Sequence, residues 1–183
     1  MYVSYNDAQI VKNMAFVITD IGQVGNYDNV YLYDPFGQTG SLNYNNDAAW
    51  FANTFRANSK NEKLQAVSFY CPDNNDSYAI YFGNSINSLR QVASGKVTNS
   101  GYYTIPLDTG LPLSNVNFTV AVKLTSNSAI ASIPIETNIP NYVTTASSAS
   151  GQSFVSSNGR DWQDVAQIFP NSNVCVRAFT SDN

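Results

Sequence analysis

Beyond residue 25 this chain is written in short apolar and aromatic runs, each cut off by Asn, Asp, Ser, Gly or Pro before an amphipathic helix can develop. The clearest run shows a period of two: Phe118, Val120, Val122 and Leu124 alternate with Asn117, Thr119, Ala121 and Lys123. Successive strand side chains point to opposite faces. The first set therefore faces a core and the second faces outward, as in a half-buried antiparallel strand.

Other runs read the same way. Strands are expected at Val30–Tyr33, Trp50–Arg56, Leu64–Cys71, Tyr102–Leu107, Ala131–Ile135 and Val174–Phe179. Tyr78–Phe82 is expected as the hairpin partner of Leu64–Cys71, across the turn Pro72–Asp76. Gln152–Ser156 leads into Asn158-Gly159, a pair suited to a type I′ turn, with Arg160–Asp164 as the return strand. About nine or ten short strands in one chain imply an all-β fold: a two-sheet antiparallel β-sandwich, jelly-roll-like. Residues 1–24 read differently, with Val11, Met14, Phe16 and Ile18 fitting a short helix or a strand. They are expected to be a leader or linker packed on a domain formed by residues 25–183.

Composition narrows the chemistry. The chain has no histidine, so serine or cysteine hydrolysis through an imidazole base and most catalytic zinc sites are excluded. Glycoside hydrolysis needs two facing carboxylates about 5 to 10 Å apart. The only glutamates are Glu62 in a loop and Glu136 at a strand end, and Asp161 and Asp164 fall on opposite faces of one predicted strand. A non-catalytic role is expected. Charged residues make up 12% of the chain, about half the usual share, and the net charge is −4. Without a basic stripe, nucleic acid is not an expected partner. No apolar run reaches the length of a membrane span. The start, Met1–Asp7, has neither a basic nor an apolar segment and is not a signal peptide; an exported parent would make this chain an excised piece. Cys71 and Cys175 match no metal or redox spacing, leaving open a disulfide or two separate buried thiols.

Several segments in order carry a resemblance: Asn26–Gly37, Trp50–Phe55, Leu64–Tyr70, Gly101–Ile105, Ile133–Glu136, Gly151–Phe154, Asn158–Trp162 and Val174–Thr180. Together they resemble the lectin-like domain attached to papain-type cysteine peptidases on the surfaces of clostridia and methanogenic archaea. The resemblance implies a jelly-roll-like sandwich beside a peptidase domain in an exported, cell-surface protein. It also implies carbohydrate binding and, in some members, bound calcium. The catalytic Cys and His of the peptidase have no counterpart here, and Cys71 has no imidazole to activate it.

Calcium takes roughly six to eight oxygen ligands. Three places offer them: the Asn43–Asp47 loop through Asp47, the Asp73–Asp76 loop through Asp73 and Asp76, and the strand ends carrying Asp34 and Glu136. Turns favour Asn and Asp without any metal, so each place also has a purely structural reading. Sugar rings stack on aromatic faces, and Tyr33, Trp50, Tyr81, Tyr103 and Trp162 are the candidates for contact with a surface polysaccharide or glycan. Aromatics also fill cores, and Trp162, next to a tight hairpin, reads first as a core plug. The competing expectation is a structural spacer or protein-docking domain that binds no sugar.

Overall fold

A computed structural model describes Ile18 and residues 25–182. In chain order the strands are β1 (Asn29–Tyr31), β2 (Gly40–Leu42), β3 (Ala48–Arg56), β4 (Lys63–Cys71), β5 (Ser77–Gly83), β6 (Arg90–Lys96) and β7 (Gly101–Pro112). They continue with β8 (Asn117–Thr125), β9 (Ile133–Glu136), β10 (Ser153–Ser156), β11 (Gln163–Asp164), β12 (Asn173–Val174) and β13 (Val176–Ser181). One short helix, α1 (Val165–Ile168), follows β11, with the Asp164 carboxylate accepting from the Ala166 N–H as its cap.

Every pairing is antiparallel. One sheet runs β1-β13-β4-β7 and the other β11-β10-β3-β8-β5-β6. A third, small sheet, β12-β9-β2, was not expected from the sequence; β12 touches β3 and β10, and β9 touches β3 and β4. The all-β sandwich expectation holds.

The core is where the alternation placed it. Phe118, Val120, Val122 and Leu124 are shut from solvent together with Phe51, Phe55 and Phe69. Each such side chain contributes about 1.5–3 kcal/mol of burial. The outward set of β8 is less solvated than the pattern implied, because Thr119 and Ala121 are also fully buried. Within the core, Asn53 of β3 donates to the carbonyls of Val174 (3.1 Å) and Val176 (2.9 Å) and accepts from the Ser153 hydroxyl (2.6 Å). It thereby serves backbone groups where the chain steps from β12 to β13, and no buried polar group is left bare there.

Two local expectations need correction. Tyr78–Phe82 is not the hairpin partner of Leu64–Cys71: β5 pairs with β6 and β8 in the six-stranded sheet, whereas β4 lies between β13 and β7. The Pro72–Asp76 turn carries the chain from one sheet to the other. Asn158-Gly159 does not make a type I′ turn either, since only Gly159 has positive φ (72°). Instead, Asn158 Oδ1 accepts from the N–H groups of Arg160 (2.8 Å) and Asp161 (3.0 Å), and the loop 157–162 separates β10 from β11. The expectation for residues 1–24 falls outside the described residues, Ile18 aside.

Cys71 and Cys175 are both free and buried. Burial pushes the Cys71 thiol up to about 11 and Cys175 higher still. Thiols so disfavoured as thiolates are poor nucleophiles.

Candidate functional site

The outward side of the six-stranded sheet gathers three of the five aromatic candidates. Trp50 stands on β3 opposite Lys123 of β8. The Trp50 ring lies 4.8 Å from Tyr81 of β5, centroid to centroid, and meets Trp162 edge-on at 6.4 Å. The Lys123 ammonium sits 5.6 Å from the Trp50 ring centroid. Tyr81 donates its hydroxyl to Gln91 of β6 at 3.2 Å. Trp50, Tyr81, Lys123 and Trp162 all remain partly exposed.

Register explains this convergence. Trp50 and Ala52 point away from the core, opposite Lys123 and Ala121, and Ala121 in turn faces Tyr81 on β5. The middle of this face, Ala52 and Ala121, is shut from solvent. The accessible ground is the end where the two Trp rings, Tyr81 and Lys123 stand. Trp162 reaches it from the loop 157–162, whose Gly159 packs on the Trp50 indole.

Tyr33 and Tyr103 do not join this group. Tyr33 stacks on Phe55 at 5.1 Å and donates its hydroxyl to the Thr54 carbonyl at 2.9 Å. Tyr103 stacks on Phe69 at 6.5 Å, and its hydroxyl bonds the Asn99 carbonyl. Both rings pack against the core from its rim. Lys123 and Gln91 were not among the sequence candidates. The alternation of β8 set Lys123 outward, but only the register against β3 puts it beside Trp50.

The acidic candidates separate into three environments. Asp34, fully buried, binds Arg177 through both carboxylate oxygens, with Nε at 3.3 and 3.1 Å and Nη2 at 3.0 Å. Burial pushes Asp34 up to about 6, although the guanidinium pulls the other way. Glu136 lies close enough for its charge to raise Asp34 further. Glu136 Oε1 accepts from the Phe36 N–H at 2.7 Å, while its buried Oε2 has no partner among the described residues. Burial raises Glu136 too. This pair does not suit calcium, because Arg177 already occupies the ground a cation would take. Its two carboxylates are closed to solvent, so they form no hydrolytic cleft.

Asp47 is exposed, and no second carboxylate accompanies it in its loop. Asp76 is buried and accepts from the Asn127 N–H at 3.1 Å. Burial and the neighbouring Asp76 charge raise Asp73. Two carboxylates this close repel, and a hard cation would relieve them. Of the three places, this loop is the one that brings two carboxylates together without a basic partner among the described residues. Among the described residues no three acidic or thiol side chains converge on one point.

With this geometry in hand, the model of one family, described as the lectin-like domain, matches residues 30–180. The chain belongs to the lectin-like domain family. No curated protein matches it. Two solved structures are similar to this lectin-like domain. One holds the cysteine protease and lectin-like domains of Cwp84, a surface layer associated protein of Clostridium difficile; it is 22% identical with a TM-score of 0.74, over 85% of this chain and 36% of that one. The other, the clostridial cysteine protease Cwp84 after propeptide cleavage, has the same identity and TM-score, over 85% of this chain and 40% of that one. At this identity the likeness establishes the fold. The lectin-like domain thus spans well under half the length of either matched chain. No helix among its described residues is long and apolar enough to cross a membrane.

Proposed function

We infer that this lectin-like domain is a non-catalytic, extracellular glycan-binding module that works beside a peptidase domain of its parent protein at the cell surface. The observation that carries the reading is the meeting of Trp50, Tyr81 and Trp162, partly exposed, on the outward side of one sheet. Aromatic rings at a surface supply flat apolar area at little entropic cost, and Gln91 and Lys123 add polar contacts beside them. A sequence without histidine offers no ordinary proton shuttle next to that ground. The partnership with a peptidase rests on the company the family keeps in the two similar structures.

Calcium enters this reading as a stabiliser of the Asp73–Asp76 loop, held by those two carboxylates with loop oxygens. Bound there, it would neutralise the charge of the two carboxylates.

The test is binding of the purified domain to cell-wall polysaccharides, with Trp162→Ala as the control surface. Binding to at least one polymer, lost in the variant, supports the reading; no binding to any polymer, with or without calcium, ends it. The spacer or docking alternative has its own support in Val30, Phe36 and Tyr102, apolar residues 50, 49 and 43% exposed on β1, the β1–β2 loop and β7. A domain that binds no glycan yet pulls down its peptidase neighbour would establish that alternative.

A further inference from the structure

Lys123 is an unusual residue to find beside the Trp50 indole. It sits mid-strand on β8, hydrogen-bonded on both sides by β3 and β5, directly between Trp50 and Ala79 in register. Most lysines keep their ammonium in open water at the rim of a domain. This one is partly buried and lies over a ring. The sole ion pair among the described residues is Arg177 with Asp34, so no described carboxylate lies within 4.0 Å of Lys123. The carboxylate of Asp161, in the loop 157–162 that carries Trp162, is bonded by the Asn158 amide at 2.7 Å. A chain with 9 basic and 13 acidic residues has thus set one cation, with no described carboxylate within 4.0 Å, beside Trp50 at its aromatic ground.

We propose that Lys123 selects an acidic saccharide, one whose pyranose ring carries a carboxylate. This deepens the glycan-binding reading and rests on it. Charge complementarity is the argument: stacking on the aromatic rings is indifferent to charge, and Lys123 makes the same ground favour an anion. A uronate bears its carboxylate on a ring carbon. One sugar residue therefore satisfies both demands, its ring on the aromatic cluster and its carboxylate on the ammonium 5.6 Å from the Trp50 centroid. A phosphodiester stands between sugars on rotatable bonds and couples the two contacts less tightly. Lys123 is then a specificity residue, and the rings supply the common affinity.

The experiment is calorimetric titration of the full chain with three probes of equal length: an oligogalacturonate, a neutral oligogalactoside and a phosphate-bearing glycan. Wild type, Lys123→Met and Lys123→Arg are compared, each with a melting curve to confirm folding. The uronate is expected to bind about tenfold tighter than the neutral probe, an advantage lost at high salt. Lys123→Met should erase the difference, bringing the uronate to the level of the neutral probe in the same variant, and Lys123→Arg should keep it. Equal affinity for uronate and neutral probes overturns the proposal but leaves glycan binding intact, as does a preference that survives in Lys123→Met. Tighter binding of the phosphate-bearing probe also overturns it. Binding of no saccharide by the folded wild type ends both readings together.

Discussion

Gly159 lies so close to Trp50 that an ideal Cβ at this glycine would stand 2.8 Å from both Cδ2 and Cε2 of the indole. Its φ of 72° adds a second demand, since side chains disfavour that region. The loop 157–162 therefore sets the position of Trp50, and with it the ring cluster. Gly159→Ala is expected to cost about 1–3 kcal/mol of stability and to shift tryptophan fluorescence. Unchanged melting and emission would show that the loop does not restrain the ring.

Glu62 anchors the loop between β3 and β4 from a fully buried position. Its carboxylate accepts from the Tyr31 hydroxyl (2.9 Å to each oxygen), from the Ser59 N–H (2.8 Å) and from the Thr180 hydroxyl. Burial and this contact push Tyr31 up to about 12. Glu62→Ala leaves those donors without an acceptor, and a loss of about 3 kcal/mol or more is expected in urea unfolding. Glu62→Gln should lose less, since one acceptor oxygen remains.

Stability should fall as pH rises from about 4 to 6.5. Asp34 and Glu136 are both held above the ordinary carboxylate range, chiefly by burial. An acid raised in the folded state binds protons on folding, so its contribution is complete below the unfolded value near 3.9. That contribution is lost as pH climbs through about 6, the folded value for Asp34. The shift on Asp34 sets a ceiling of about 3 kcal/mol. Arg177 stays charged throughout and leaves the slope alone. Thermal melts across this window provide the check, and Asp34→Asn should flatten them. A wild-type profile that rises with pH would contradict the account.

Calcium at a hundredfold excess over its Kd should raise stability by about 2.7 kcal/mol if it binds only the folded domain. Asp73→Asn with Asp76→Asn should abolish the increase, whereas Asp47→Asn should leave it in place. A melting temperature identical in chelator and in millimolar calcium would remove the ion from the description of this domain.

The sequence carried the strands better than their neighbours. Phe118 to Leu124 could be read residue by residue, because alternation is local and period two has no helical counterpart. The partner of β4 could not, because adjacency in the chain favours a hairpin while the sandwich sends β5 to the other sheet. β2 and β6 were missed: β2 is only Gly40–Leu42, and β6 is broken by Ser94 and Gly95 and shows no clean apolar face. For the ring cluster, residue types pointed to Trp50, Tyr81 and Trp162 but equally to Tyr33 and Tyr103. What separates these groups is register and packing, which depend on residues far apart in the chain.

The strands at the two ends of the described domain lie side by side: the Asp28 N–H donates to the Thr180 carbonyl at 2.9 Å, and the Asp182 N–H to the Asp28 carboxylate at 2.8 Å. β1 and β13 run antiparallel from that corner, with Asn29 facing Thr180 and Tyr31 facing Ala178. Tension applied between Asp28 and Asp182 would therefore open the ladder like a zip, loading one hydrogen bond after another. Shear across the whole ladder at once would not arise. Mechanically, this corner is the weak seam of the sandwich, and β1 would peel away while the aromatic cluster on the opposite sheet stayed in place.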